Sequence, residues 1–253
     1  MVFNDGDFVL INYTIRVRED GDYKVQDTTY LEEAKASGIF DPNRSYGPYL
    51  VVVGKSHLIE AVDEEIKKME VGQKKEIMAP PEKAYGEVKG DLIIKIPLRQ
   101  LKRYNIPAKV GQKVELGGRV GVIKRIAERF AYIDFNHPLA GKELSISLEV
   151  VRKIDTMEDK VKYLAERWLG LKDKVAVESK DDSLNINLPG EAIGVVDLES
   201  KLQLLLRDIY QYIGSKEVNI NIKVKYAGGE KEEKKEEKGE KEEEGEAKGE
   251  AKA

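Results

Sequence analysis

Few side chains in this sequence could take part in chemistry, and those few are widely separated. Two phenols and one carboxylate are the main candidates, Tyr13, Tyr85 and Asp27. A tyrosine hydroxyl can donate a hydrogen bond to a carbonyl oxygen, and a carboxylate can accept one and orient its donor. Each residue alone also has an ordinary structural explanation. Tyr13 would be a strand residue, Asp27 part of a turn, and Tyr85 a loop residue.

Other kinds of catalytic and metal chemistry are excluded by composition. Cysteine is absent and the two histidines are His57 and His137, which excludes disulfides, thiol catalysis, cysteine-held zinc and a histidine-rich metal site. We expect His57 at the surface before a helix, where one imidazole makes a poor metal site. We expect His137, next to Pro138, to cap a loop. Neither a metal nor a cofactor is predicted.

The elements that position these residues follow from hydrophobic periodicity. Apolar residues alternate with more polar neighbours over 9–17, which predicts a half-buried strand that carries Tyr13. Further strands are predicted over 24–28, 50–53 and 73–79. A short helix is predicted over 31–37, ended by Gly38, and a second helix over 58–69, where apolar residues recur at helical spacing.

The stretch 88–131 differs in character, because it interleaves apolar residues with Lys and Arg. Short strands are predicted over 113–116 and 120–126, joined by Gly117-Gly118. A β-rich insert therefore interrupts a larger β domain. We place the larger domain at 1–87 plus 132–155, and the insert at 88–131.

A C-terminal α+β domain is predicted at 156–226. Asp155 or Thr156 can cap its first helix, two strands follow, and an amphipathic helix over 198–213 has Gly214 at its C-cap. The alternating residues 218–226 predict a final strand. The tail 227–253 contains only Gly, Ala, Glu and Lys, which predicts disorder, with a charged single helix as the alternative.

Charge and composition limit the partners. The 253 residues carry a net charge of −4, all of it in the tail, so the body 1–226 is neutral and no nucleic-acid partner is expected. No run of about eighteen apolar residues is present, and none follows a basic N-terminal segment, so we expect neither a membrane span nor a secretory signal. The protein is expected in the cytoplasm. Abundant Glu, Lys and Arg without Cys are typical of a thermophilic source.

Four segments, in this order and spacing, resemble the FKBP-type peptidyl-prolyl isomerases, and the resemblance covers residues 1–155. The first comprises Val9-Leu10-Ile11-Asn12-Tyr13-Thr14 and Val25-Gln26-Asp27-Thr28-Thr29. The second comprises residues 49–53, Gly54-Lys55, Leu58-Ile59 and Met69-Glu70-Val71-Gly72-Gln73. The third is Pro81-Glu82-Lys83-Ala84-Tyr85-Gly86. The fourth is similar to the signature that follows the inserted domain in SlyD-type members, Asp134-Phe135-Asn136-His137-Pro138-Leu139-Ala140-Gly141-Lys142-Glu143-Leu144. With its extra C-terminal domain, the chain resembles the long archaeal FKBP-type chaperones.

The resemblance implies an α+β fold in which a bent antiparallel sheet wraps around one helix, with a β-rich insert and a C-terminal α+β domain. The active site would be the apolar hollow between sheet and helix. By matching positions, its lining would be Tyr13, Asp27, Tyr49, Leu58, Ile59, Val62, Tyr85 and Ile146. The family often has Phe, Trp and Phe where this chain has Gln26, Val62 and Ile146, so the floor should be smaller and less aromatic.

The insert binds unfolded chains in the SlyD-type relatives, and the resemblance implies the same here. Its apolar residues exceed what about 44 residues can bury, which favours an exposed binding surface. The predicted client-binding residues are Ile93, Ile94, Ile96, Leu98, Leu101, Tyr104 and Ile106. The alternative is that these side chains are the core of the insert.

The combined prediction is a peptidyl-prolyl cis-trans isomerase that also holds unfolded or proline-containing polypeptides. The alternative is a holdase chaperone or interaction protein with little isomerase activity, which Gln26, Val62 and Ile146 would favour. A ribosome- or RNA-bound factor is disfavoured by the neutral body. A homodimer through the C-terminal domain is expected if the edge of its last strand pairs with a second copy.

Overall fold

The computed structural model describes residues 3–19, 21–55, 58–171, 174–180, 183–215 and 217–224. By contact the chain divides into two units, Met1–Lys223 and Val224–Ala253. The predicted tail 227–253 and His57 lie outside the described residues. All the elements below belong to the first unit.

The described elements are twelve strands and five α-helices, numbered here in chain order. The strands are β1 (Phe8–Glu19), β2 (Asp22–Thr28), β3 (Tyr49–Val52), β4 (Lys74–Ala79), β5 (Ile93–Pro97), β6 (Lys113–Leu116), β7 (Arg119–Ala127), β8 (Phe130–Asp134), β9 (Leu144–Ile154), β10 (Ala176–Lys180), β11 (Ser183–Pro189) and β12 (Glu217–Lys223). The α-helices are α1 (Leu31–Ala36), α2 (Glu60–Ile66), α3 (Leu98–Arg103), α4 (Met157–Leu169) and α5 (Leu198–Tyr212). This mixed composition confirms the predicted α+β class.

The first sheet has the strand order β2-β1-β9-β4, with β3 also pairing with β1, and every pairing is antiparallel. One face of β1 packs on a buried cluster with α2 beneath it. The other face is also covered, because Phe8 and Leu10 are buried against α4 and α5. The prediction of a half-buried strand is therefore wrong at the start of β1. The C-terminal domain supplies the covering layer, which no local pattern in β1 could reveal.

Helix α2 is shorter than the predicted 58–69. It runs over Glu60–Ile66, and Ile59 precedes it with extended backbone (φ −142°, ψ 156°). Its apolar residues Val62 and Ile66 are buried in the core that faces β1. Because Ile59 and Met69 are buried although they lie outside the helix, helical periodicity overestimated the helix at both ends.

The insert is a four-stranded antiparallel sheet with the order β5-β8-β7-β6. Gly117 and Gly118, at φ +60° and +72°, form the two-residue turn between β6 and β7, as predicted. Strand β8 pairs with β5 and with β7. The structure therefore places Phe130–Asp134 in the insert, which corrects the predicted return to the larger domain at residue 132. One of its hydrogen-bonded neighbours, β5, lies more than 30 residues earlier in the chain, so periodicity alone could not assign it.

The C-terminal domain has two helices and the strand order β10-β11-β12, with β12 parallel to β11. The Thr156 side chain accepts a hydrogen bond from the Asp159 amide (3.2 Å), which confirms the predicted helix cap. Strand β12 has one paired neighbour among the described strands and so forms an edge of this sheet. The predicted final strand over 218–226 is described only to Val224.

Candidate active site

The polar part of the candidate site is built across the β1–β2 pair. Register places Asp27 opposite Ile15 on the neighbouring strand, so the carboxylate reaches the hydroxyl of Tyr13, two residues earlier on β1. The Tyr13 hydroxyl donates to Asp27 Oδ2 at 2.9 Å, and Tyr13 is only 2 % exposed. The two residues that were 14 positions apart in sequence thus form one hydrogen-bonded unit.

Arg44, in the loop before β3, completes this unit. Its guanidinium pairs with Asp27 Oδ1 and donates to the Tyr13 hydroxyl oxygen at 3.4 Å. Burial is the main cause that raises the pKa of Tyr13, and the negative charge of Asp27 is the second. The phenol therefore stays protonated. Asp27 is therefore held by two polar side chains, those of Tyr13 and Arg44. A cation was not predicted, although a half-buried carboxylate calls for one.

The apolar members of the predicted site lie together. Tyr13, Ile59, Val62 and Ile146 belong to one buried cluster, and Tyr49, Leu58 and Tyr85 pack against it. The Tyr13 and Tyr49 rings meet edge to face with centroids 6.1 Å apart. Asp27 joins the group through its hydrogen bond, so the structure brings together all eight predicted residues.

Exposure separates these residues into a floor and a rim. Ile146 exposes none of its surface and Val62 only 1 %, so they lie in the core beneath the more exposed members. The rim consists of Tyr49, Leu58 and Tyr85, which are half-buried. A bound ligand would therefore contact the rim directly, and the floor would set the shape and polarity beneath it.

Tyr85 is held by the loops on either side of the insert. The Gly86 amide donates to the Pro81 carbonyl at 2.7 Å, and the Tyr85 ring stacks on His137 with centroids 4.0 Å apart and planes 7° apart. Burial and the charge of Asp27 raise the pKa of Tyr85. At neutral pH its hydroxyl is therefore a hydrogen-bond donor at the rim.

His137 connects this stack to the loop that follows the insert. Its Nδ1 accepts a hydrogen bond from the Leu139 amide (3.2 Å), which confirms the predicted loop cap. Burial lowers the pKa of His137, so the neutral ring that stacks on Tyr85 is favoured. Sequence reasoning missed the stacking partner, because 52 positions separate the two residues.

A cleft of about 620 Å³ opens beside Tyr49, between the 43–50 loop and helix α4. Arg167 of α4 forms part of its wall. Its guanidinium lies 5.4 Å from the Tyr49 ring centroid and donates to the Leu50 carbonyl. The C-terminal domain therefore contacts the strand that carries a rim residue, a relationship for which the sequence contained no signal.

The predicted client-binding residues of the insert divide into two groups. Ile93, Ile94 and Tyr104 are 38 %, 40 % and 61 % exposed. Ile96 and Leu101 are buried in the core of the insert, and Leu98 and Ile106 pack against that core. The prediction of surface binding is therefore wrong for Ile96 and Leu101, because α3 and the sheet enclose them.

Among the described residues, no group of three or more His, Asp or Glu is arranged to hold a metal ion. Within the same residues, no helix is long and apolar enough to cross a membrane.

Comparisons with known proteins match the N-terminal and C-terminal parts of the chain to two different family models. A family model for FKBP-type peptidyl-prolyl cis-trans isomerase matches residues 2–109, and a model described as FKBP26_C-terminal matches residues 157–221. A short-type peptidyl-prolyl cis-trans isomerase of Methanocaldococcus jannaschii is 37 % identical over 145 residues, which are 57 % of this chain and 90 % of the relative.

Two bacterial relatives are more distant. The FKBP-type isomerase SlyD of Helicobacter pylori is 25 % identical over 134 residues, covering 52 % of this chain and 72 % of the relative. An FKBP-type 16 kDa isomerase of Escherichia coli is 26 % identical over 148 residues, covering 56 % of this chain and 88 % of the relative.

Proposed function

The chain belongs to the family of FKBP-type peptidyl-prolyl cis-trans isomerases, and from this premise we propose which residues catalyse isomerisation and what the added domains do. The proposed site is the hollow with its floor of Ile59, Val62 and Ile146 and its rim of Tyr49, Leu58 and Tyr85. The observation that carries the assignment is that these residues share one cluster with the Tyr13–Asp27 hydrogen bond.

The reaction requires rotation about an X–Pro amide against a barrier of about 18–20 kcal/mol. Without a catalyst this takes roughly tens to hundreds of seconds. The planar amide is more polar than the twisted transition state, in which resonance is lost. An apolar floor therefore disfavours the planar form relative to the twisted form. No nucleophile, metal or general base is needed.

The polar residues orient the substrate. Tyr85 donates a hydrogen bond from the rim to a substrate carbonyl. Asp27, held by Tyr13 and Arg44 at the sheet edge, fixes the Tyr13 ring and, through the edge-to-face contact, the Tyr49 wall. Both hydroxyls act as protonated donors, consistent with their raised pKa values.

The test is isomerisation of a short proline peptide followed by exchange NMR, using the full chain. Tyr85→Phe removes one hydrogen bond and should lower kcat/KM by about 2- to 10-fold. Asp27→Asn should also lower it. Tyr23→Phe, at a 47 % exposed position on β2, is the matched control and should have wild-type activity. Equal activity in all four proteins would refute the site. Absence of activity in the wild type would favour the holdase alternative.

We also propose that the insert holds unfolded polypeptides. The proposal is supported by exposed apolar side chains at Ile93, Ile94 and Tyr104, with Val110 and Val120 exposed in the same insert. In an aggregation assay with a denatured client, Ile94→Gln combined with Tyr104→Gln should weaken protection. Val71→Gln, at a 55 % exposed site on the isomerase domain, should not. Equal protection by the two variants would contradict the proposal.

Self-association and location are proposed from the edge strand and the composition. The edge strand β12 can pair with a second copy, so light scattering should give twice the monomer mass of 28.5 kDa, and a monomer at all concentrations would exclude the dimer. A cytoplasmic location is compatible with the absence of cysteine. The relative from Methanocaldococcus jannaschii and the high Glu, Lys and Arg content support an archaeal, thermophilic source.

A further inference from the structure

The body is neutral as a whole, but its positive and negative charges are distributed unevenly between the insert and the rest. Residues 88–135, the insert as the structure defines it, carry eleven Lys and Arg and four Asp and Glu, a net charge of +7. Because residues 1–226 together are neutral, the remainder of the body carries −7. A basic segment of this size within an otherwise acidic chain is typical of a surface that meets a polyanion.

The cations of the insert also differ from those elsewhere in how they are paired. None of the eleven forms an ion pair with any residue of the described chain. In the isomerase domain, by contrast, Arg16 pairs with Glu33, Lys83 with Glu64, and Lys153 with Asp7. The positive field of the insert is therefore not neutralised within the described fold and is available to an external partner.

Part of this charge is arranged around aromatic rings on one sheet face. Phe130 and Tyr132 lie two residues apart on β8 and so share a face. Register places Lys95 and Arg125 on the strands to either side of Tyr132. Lys95 Nζ lies 4.0 Å from the Phe130 centroid, and Arg125 Cζ lies 4.1 Å from the Tyr132 centroid.

The opposite face of the same strands is the core of the insert. Ala131 and Ile133 alternate with these aromatics and are fully buried with Leu101 of α3. Helix α3 therefore covers one face only. On the other, Lys95 and Arg125 are exposed, and Phe130 and Tyr132 are half-buried.

We propose that this basic face, defined by Lys95, Arg125, Phe130 and Tyr132, binds single-stranded nucleic acid. Aromatic rings and arginine planes on a sheet stack unpaired bases, while neighbouring cations contact phosphates. An acidic polypeptide would satisfy the charges but would not use the aromatic rings. The prediction that nucleic acid is not a partner rests on the charge of the whole body, whereas this proposal rests on the charge of the insert alone.

The test is fluorescence anisotropy of a labelled twelve-nucleotide oligouridylate with the full chain. If four phosphates are contacted, log affinity should fall with log salt with a slope of about −3. Tyr132→Leu keeps the apolar bulk but removes the stacking ring, and should weaken binding about fivefold or more. Arg125→Gln should weaken binding and reduce the salt slope. Arg103→Gln, on α3 across the sheet, removes the same charge and should bind within twofold of wild type.

Two outcomes would overturn the proposal. One is the absence of oligouridylate binding at low salt. The other is equal binding of an oligoglutamate of the same length, with Tyr132→Leu without effect, which would make the face a site for acidic polypeptides. Thermal unfolding and peptide isomerisation, measured on every variant, show whether the fold and the distant isomerase site are unchanged.

Discussion

Replacing Arg167 with Met should show how firmly the C-terminal domain is attached to the isomerase domain beside the active site. The Arg167 side chain is 12 % exposed, and its Nη1 lies 4.0 Å from Oδ2 of Asp208, whose side chain is 2 % exposed. The same guanidinium donates to the Leu50 carbonyl and lies over the Tyr49 ring. One cation thus connects a buried carboxylate on α5 to strand β3.

The expected loss in the free energy of unfolding follows from the interactions that Arg167→Met removes and those that Asp208 keeps. A hydrogen bond from a charged donor contributes about 1.5–3 kcal/mol, and breaking a buried ion pair costs about 3–5 kcal/mol. Asp208 would keep its hydrogen bonds from Trp168 Nε1 (2.8 Å) and Arg207 (3.1 Å). These offset part of the loss, so we expect a decrease of about 2–4 kcal/mol in the free energy of unfolding.

A double-mutant cycle separates the energy of the Arg167–Asp208 ion pair from the destabilisation that each substitution causes by itself. Asp208→Asn removes the charge but keeps an acceptor for Trp168. The free energy of unfolding lost by the double variant should be smaller than the sum of the two single losses by at least about 1 kcal/mol. Arg207→Met is the matched control, because Arg207 contacts the same carboxylate but is 58 % exposed, and should cost less than about 1 kcal/mol. The assay is urea unfolding. Additive single losses, or an equal cost for Arg207→Met, would refute the reasoning.

Three further predictions concern the insert, a titrating ring and the tail. Replacing residues 88–135 with a short Gly-containing loop should leave peptide isomerisation largely intact but slow catalysed refolding of a proline-limited protein, because a client held near the pocket meets it repeatedly; unchanged refolding would contradict this. Burial lowers the pKa of His137, so its stabilising effect should be complete above the unfolded-state pKa of about 6.5 and be lost as the pH falls from there through the lowered folded-state pKa. His137→Phe, which keeps a ring beside Tyr85, should show a smaller drop in Tm between about pH 7 and 5, and an identical drop would exclude His137 as the cause. Truncation after Tyr226 removes the whole net charge of −4, so Tm should stay unchanged while light scattering near neutral pH rises; a large fall in Tm would mean that the tail docks on the body.

Local patterns predicted the elements whose partners are close in sequence. The Gly117-Gly118 turn and the Thr156 cap depend only on neighbouring backbone, and both are present. The strand pattern of β1 was also sufficient to place Tyr13 on the core face. Matching positions, rather than periodicity, brought Tyr85 to the same site.

What the sequence could not supply depends on contacts between distant segments. Phe8 and Leu10 are buried by helices more than 140 residues later, and β8 pairs with β5, which lies more than 30 residues before it. Arg44 and Arg167 act on residues far from them in sequence. In the insert, apolar composition could not distinguish the buried Leu101 from the exposed Tyr104, since that depends on which side of α3 faces the sheet.

The most direct test of the assigned active site is a methyl-labelled NMR titration of the full chain with a proline peptide. If the site is correct, the methyl signals of Leu58, Ile59 and Val62 shift on binding, and the bound peptide shows accelerated cis/trans exchange that Tyr85→Phe slows. If accelerated exchange occurs while these methyl signals stay unchanged and others shift, the isomerase site lies elsewhere and the assignment is wrong.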